Sequence, residues 1–219
     1  MKRIFFGLTL GFTLSFACIV AQANPIFVSN FSFENLPGTG LPLNGCGTGC
    51  QYDIGAIPGW NVNSGSAGQF QPGTQSGNTQ WFSSLSDGIT VAYANGGDIT
   101  QTVVDTVQLG VVYTLMVDLG KRNDQLFTSG ADLLINGVHY AAVGTTPTSG
   151  NWSTFTATYT GLATDVGQAI TIELLSSGTQ SDFDNVHLND NTTATPEPAS
   201  LGLLGLGLAG LLAKALRRR

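Results

Sequence analysis

The last two dozen residues constrain the rest of the chain most. From Ala199 to Leu216 the sequence is almost pure Leu, Gly and Ala, with Lys214 as its single charge. No polar face recurs at the 3.6-residue period, so such a helix cannot rest half on a core and half in water. At roughly 1.5 Å per residue it spans about 27 Å, a little less than the ~30 Å hydrocarbon layer of a bilayer. Lys214 can reach back towards the headgroups along its own aliphatic stem. Arg217, Arg218 and Arg219 follow at once and read as a cytoplasmic stop, which leaves everything before Pro196 on the far side of the membrane.

Immediately ahead of this helix stand Pro196, Glu197 and Pro198. The order Pro-Glu-Pro, Leu/Gly helix and terminal arginine cluster resembles the PEP-CTERM sorting signal of Gram-negative bacteria that make exopolysaccharide. The resemblance implies that an exosortase, a membrane protease-transpeptidase, recognises the Pro-Glu-Pro motif and removes the tail. The mature protein would then go to the envelope or the extracellular matrix. It covers about a tenth of the chain and gives an address, not an activity.

The other end agrees. Lys2-Arg3, an apolar run from Ile4 to Ala17 and the small residues Ala21-Gln22-Ala23 read as a secretory signal peptide over residues 1–23, with the mature chain starting near Asn24. Acylation at Cys18 is the alternative, although Ser15-Phe16-Ala17 lacks the aliphatic residue a lipoprotein signal carries there. The partition is therefore a signal peptide at 1–23, one body at 24–194 and a sorting signal with a transmembrane helix at 195–219.

Within the body only Lys121 and Arg122 face thirteen carboxylates, leaving it near −11 (2 minus 13). Such a surface repels phosphate backbones, which argues against a nucleic-acid partner, and it suits calcium. Cys46 and Cys50 are the two cysteines left in an oxidising compartment, so a disulfide is the first reading; its small loop contributes little chain entropy.

Short runs rich in Val, Ile, Thr and aromatics, divided by Gly, Asn, Asp, Ser and Pro, predict strands throughout. They fall at Ile26–Phe33, Gly88–Tyr93, Ile99–Val103, Val111–Leu119, Ala131–Ile135, Val138–Val143, Trp152–Tyr159, Ala169–Leu175 and Phe183–Leu188. Asn136-Gly137 predicts a type I′ hairpin. In Trp152–Tyr159 the period-2 pattern makes Ser153, Phe155, Ala157 and Tyr159 the core face. The Gly/Pro/Asn-rich stretch Leu36–Thr79 is expected to be surface loop with short strands at Ile57–Val62 and Gln69-Phe70. No amphipathic helix of ten residues is visible in the body. The fold class is all-β, a jelly-roll β-sandwich.

Phe31-Ser32-Phe33-Glu34-Asn35, Ile57-Pro58-Gly59-Trp60 and Phe183-Asp184-Asn185-Val186 occur in an order similar to that of galactose-binding-like jelly rolls, which include many carbohydrate-binding modules. The resemblance implies that the first and last strands pair and share a structural calcium ion (Ca2+), with Glu34 and Asp184 as ligands. Ser32 in place of the usual glycine and Asn185 in place of an acid depart from that pattern. Hard carboxylate oxygens at ~2.3–2.6 Å would suit the ion.

Among Trp60, Trp81, Trp152 and the five tyrosines, Trp81 in its polar loop is the best candidate for an exposed sugar-stacking ring; Trp60 and Tyr113 read as core. Catalytic motifs are lacking: there is no Gly-x-Ser-x-Gly elbow and no His-Glu-x-x-His, and His139 and His187 read as strand residues. Asp98, Asp105 and Asp118 read as solvated strand ends. The expectation is a non-enzymatic, exported cell-surface or matrix protein, structural or adhesive, with exopolysaccharide as a partner. A carbohydrate-binding module is the alternative, and a glycoside hydrolase with two carboxylates ~5–9.5 Å apart is a third.

Overall fold

The computed structural model describes residues 23–73 and 81–192. The signal peptide, Pro196-Glu197-Pro198, the apolar C-terminal helix and Arg217-Arg218-Arg219 lie outside the described residues, among which no helix is long and apolar enough to cross a membrane.

Twelve strands follow in order: β1 (Asn24–Ile26), β2 (Gln51–Tyr52), β3 (Asn61–Val62), β4 (Ser66–Gln71), β5 (Val91–Asn95), β6 (Gly97–Thr106), β7 (Val112–Lys121), β8 (Ser129–Ile135), β9 (Val138–Ala141), β10 (Asn151–Thr160), β11 (Ala169–Ser176) and β12 (Ser181–Asp190). Among the described residues one 3₁₀ turn is present, at Ala163–Asp165. The strands form two antiparallel sheets, one of seven strands in the order β10-β7-β12-β5-β4-β2 with β1 also on β12, and one of five in the order β3-β6-β11-β8-β9. The described residues form an all-β sandwich.

Alternation places the core. Phe155, Ala157 and Tyr159 of β10 point inwards, as their spacing predicts, beside Leu115, Val117 and Leu119 of β7. Ile170, Ile172 and Leu174 of β11 and Ala131, Leu133 and Ile135 of β8 face them from the other sheet. Each buried Val, Leu or Ile side chain contributes about 1.5–3 kcal/mol relative to exposure. Asn136 and Gly137 both take positive φ (51° and 76°), as a type I′ turn between β8 and β9 requires. Trp60 and Tyr113 are core residues.

The expected strand Ile26–Phe33 ends at Ile26. Asn30 (φ 49°) and Phe33 (φ 57°) adopt left-handed backbone, which no strand continues through. Asn30 organises the turn that results: its side chain donates to the Asn35 and Pro58 carbonyls and accepts from the Asn35 N–H. Two buried glutamines on other strands hold it in place. Gln101 of β6 donates to the Ser29 and Gly59 carbonyls at 2.9 and 2.8 Å, and Gln69 of β4 donates to the Phe33 and Asn35 carbonyls. In the Leu36–Thr79 stretch, β4 runs longer than the pair Gln69-Phe70, β2 is additional, and Ile57 reaches Trp60 only through an isolated bridge.

Candidate functional site

Strand β5 sends Ala92 and Ala94 into the core and turns Tyr93 to the outer face of the seven-stranded sheet, where loops cover it. Two glycines permit that close cover. A Cβ on Gly68 of β4 would lie 2.4 Å from the Asp53 carbonyl, and one on Gly120 of β7 would lie 2.8 Å from the Trp152 ring. The Cys46–Cys50 disulfide, with Cα atoms 5.5 Å apart, braces the loop, and Cys50 packs with Phe70, Phe82, Val91 and Tyr93 in a second apolar cluster. The Tyr93 hydroxyl donates to the Asp53 carbonyl at 2.6 Å.

Between loop and sheet lies a half-open cavity of about 250 Å³, lined by Tyr52, Phe70, Tyr93, Asn95, Arg122 and Gln180 among others. Arg122 is fixed on three sides. It forms a two-pronged pair with Asp124, donates to Gln180 Oε1 at 2.6 Å and stacks 4.0 Å above the Trp81 ring. Gln180 then donates to Asp182 Oδ1 at 2.9 Å. Asp182 sits on β12 opposite Tyr93, almost wholly buried. Burial pushes its carboxyl up to about 7; Gln180 and Arg122 pull the other way and Asp124 adds to the rise.

Trp81, expected to stand exposed, is half-buried: Arg122 covers one ring face and its indole N–H donates to the Cys46 carbonyl at 3.1 Å. It forms part of the wall behind the cavity rather than an open platform. Tyr52 and Tyr93, also among the aromatic candidates, reach the cavity itself.

The motifs at the two ends of the body meet. The Val186 N–H donates to the Phe31 carbonyl at 2.8 Å, and the Phe31 and His187 rings lie 5.1 Å apart. A bulge in β12 between Asp184 and His187, with Asn185 at φ 51°, re-aims the strand at this point. Glu34 and Asp184 both grip the loop ahead of β5. Glu34 Oε1 accepts from the Ile89 and Thr90 N–H groups at 2.8 and 2.7 Å, and Asp184 accepts from those of Asp87 and Asn185, each at 2.8 Å. Gly88 takes a left-handed φ of 57° that side-chain-bearing residues rarely adopt, and a Cβ there would displace the Glu34 carboxylate, 2.2 Å from Oε1. Burial pushes the Asp184 carboxyl up to about 8, with Asp87 and Glu34 adding their charge. The Glu34 and Asp184 carboxylates both supply hard oxygen donors of the kind calcium takes, and both are engaged by backbone N–H groups.

Asp118 is not a solvated strand end. It is buried on β7 opposite Asp184 and accepts from Ser86, from Thr154 at 2.5 Å and from Asn185 at 2.9 Å. Asp118, expected to be solvated, and Asp182, which no motif singles out, both lie on a face that a period-2 pattern marks as outward. That this outward face is covered is visible only once the loops are placed.

The family model described as HpiC1 cyclase matches residues 24–189. The chain belongs to the HpiC1-like family. In this member the family region is followed by a PEP-CTERM protein-sorting motif at residues 194–219, which implies export, membrane association and recognition by an exosortase. No curated protein matches the chain in sequence.

Solved structures similar to this HpiC1-like chain include one described as "CBM4 structure and function" (18% identity, 75% of this chain and 99% of that chain, TM-score 0.39). The CBM22-1 xylan-binding domain from Paenibacillus barcinonensis Xyn10C is another (11% identity, 81% and 100%, TM-score 0.42). The enzymatically active domain of bacteriophage CBA120 tailspike protein 4 is a third (14% identity, 75% and 21%, TM-score 0.39); this chain spans about a fifth of it. At these scores none of them bears on what this chain binds.

Proposed function

We propose that the protein is an exported, surface-directed binding module that takes a carbohydrate ring in the Tyr52–Phe70–Tyr93 cavity and so links its cell to exopolysaccharide. On this reading the sandwich is a jelly roll of the galactose-binding-like kind, and the body binds rather than catalyses. The cavity carries the proposal. Aromatic faces suit the C–H faces of a sugar, while Asn95, Gln180 and Arg122 offer polar groups to its hydroxyls. At about 250 Å³ it is small beside drug-sized sites and suits a single ring or chain end. Retention of the full chain, in detergent, on immobilised bacterial exopolysaccharide tests this. Tyr52→Ala should weaken retention at least about tenfold with the fold intact, and equal retention of the variant removes the cavity from the reading.

Calcium at Glu34 and Asp184 belongs to the same proposal, as the brace of the loop ahead of β5. Millimolar calcium against a Kd near 10 µM stabilises by about 2.7 kcal/mol, some 5–10 °C in melting temperature for a domain of this size. The shift should be larger at pH 8 than at pH 5, since Asp184 must ionise to bind, and it should vanish in Asp184→Ala. An unchanged melting temperature at saturating calcium excludes the ion.

Asp182 favours a second, catalytic reading. Its carboxyl, pushed up to about 7, lies one hydrogen bond behind the cavity-lining Gln180 and would act as proton donor once a ligand or water reaches it, and the family description names a cyclase. Conversion of a bound small molecule by the full chain, lost in Asp182→Asn while binding persists, would establish it.

A further inference from the structure

The opposite outer face, on the five-stranded sheet, carries a different cluster. Ile172 and Leu174 of β11 point into the core, so Glu173 between them points out. Strand register sets Asp132 of β8 directly across from Glu173. The Asn136-Gly137 hairpin folds β9 back on β8, pairing Leu134 with His139 and placing the His139 ring beside Asp132 on the same face. His139 Nδ1 lies 3.1 Å from Asp132 Oδ2 and 2.9 Å from Glu173 Oε2, and all three ligand atoms lie within 4.8 Å of one another.

One imidazole nitrogen cannot bond two carboxylate oxygens at once, since it has one proton or one lone pair. Asp132 takes the hydrogen bond. Glu173 Oε2, close but not aligned, is buried without a hydrogen-bond partner, on a residue only 8% exposed. Buried polar atoms are rarely left so. Burial raises the Glu173 carboxyl, and the Asp98 and Asp132 charges add to the rise against the pull of His139. Lys121 and Arg122, the body's two cations, sit at the end of β7 in the other sheet.

We propose that Asp132, His139 and Glu173 bind one divalent transition-metal ion of the zinc class, with water completing the shell. A nitrogen and two carboxylate oxygens at ~2.0–2.2 Å match zinc, whose tetrahedral donors stand about 3.3 Å apart. The observed 2.9 and 3.1 Å need open by only a few tenths of an ångström, and the half-exposed His139 ring supplies both the movement and the entry path. Calcium and magnesium, which demand oxygen shells of six or more, are poorly served by this trio. The ion would clip the short edge strand β9 to the centre of its sheet.

The test uses the full chain in detergent, purified without a histidine tag, stripped with chelator, dialysed and titrated calorimetrically with zinc chloride alone. One ion per chain with a Kd of micromolar or tighter is expected. His139→Ala and Glu173→Gln should each weaken binding at least about tenfold, while His187→Ala leaves it unchanged. His139 is half exposed, so its variant folds even if the Glu173 variant does not. Absence of saturable binding, or binding indifferent to His139→Ala, overturns the proposal.

Discussion

Raising the pH from 5 to 8 in the presence of a chelator should lower the melting temperature of the full chain by at least about 5 °C. Asp182 and Asp184 are the main cause, and Glu173 and Asp53, also raised by burial, act in the same direction. Burial raises the folded-state values of Asp182 and Asp184 to about 7 and about 8, against 3.8 when unfolded. Between those limits the folded chain holds two protons that the unfolded chain has released. Stability from each group is therefore complete below pH ~4 and is lost as pH rises through 7 and 8. Each group changes stability by up to about 1.4 kcal/mol per pH unit, so the pair sets an upper bound of about 5 kcal/mol between pH 5 and 7. Internal relaxation reduces this, and even ~2 kcal/mol moves the midpoint by about 5 °C at 2–4 °C per kcal/mol. Asp165 has the opposite sign, lowered mainly by the Tyr159 hydroxyl, and acts below pH ~4, outside this window.

General charge repulsion predicts little change over this range, because exposed carboxylates are already ionised at pH 5. Asp182→Asn separates the two explanations. An asparagine oxygen still accepts from Gln180, so the variant should lose about half of the pH slope and melt higher than the parent at pH 8. A melting temperature that stays level or rises from pH 5 to 8 contradicts the buried-acid account. Calcium should reverse the trend at pH 8 if Asp184 and Glu34 hold it, which ties the pH profile to the proposed ion.

Much of the sandwich was legible because its strands obey local rules. Strand β10 displays its core face in its own alternation, and Asn136-Gly137 names its turn. The disulfide needed only two cysteines four positions apart and an exported chain. What stayed hidden depends on distant residues. The turn at Asn30–Phe33 looks like a strand because Phe31 and Phe33 alternate. It is bent by amides from Gln69 and Gln101, dozens of residues away, which no local pattern encodes. The cavity joins Tyr52 and Tyr93, each a plausible ring alone, only after β4 has paired with both β2 and β5. The Asp132–His139–Glu173 cluster likewise needs the β8–β11 register, which fixes one residue's neighbour without marking it in the sequence.

The same turn gives the sharpest mutational contrast. Phe33→Ala should destabilise the chain by about 3–5 kcal/mol, whereas Phe31→Ala should cost about 1 kcal/mol or less, both read from urea unfolding at pH 5–6. On a strand, two phenylalanines at i and i+2 would share a face and a fate. In the turn they part: Phe33 is fully buried against Trp60, ring centres 5.4 Å apart, while Phe31 is 39% exposed against the His187 ring. Truncating Phe33 leaves a void under Trp60 that the buried Gln69 and Gln101 amides cannot move to fill without breaking their bonds to this turn. Glu34 follows directly, so the same variant should also weaken any calcium-induced rise in melting temperature, through lost positioning of the carboxylate that holds Ile89 and Thr90. Equal costs for the two phenylalanines would mean that this segment runs on as a strand.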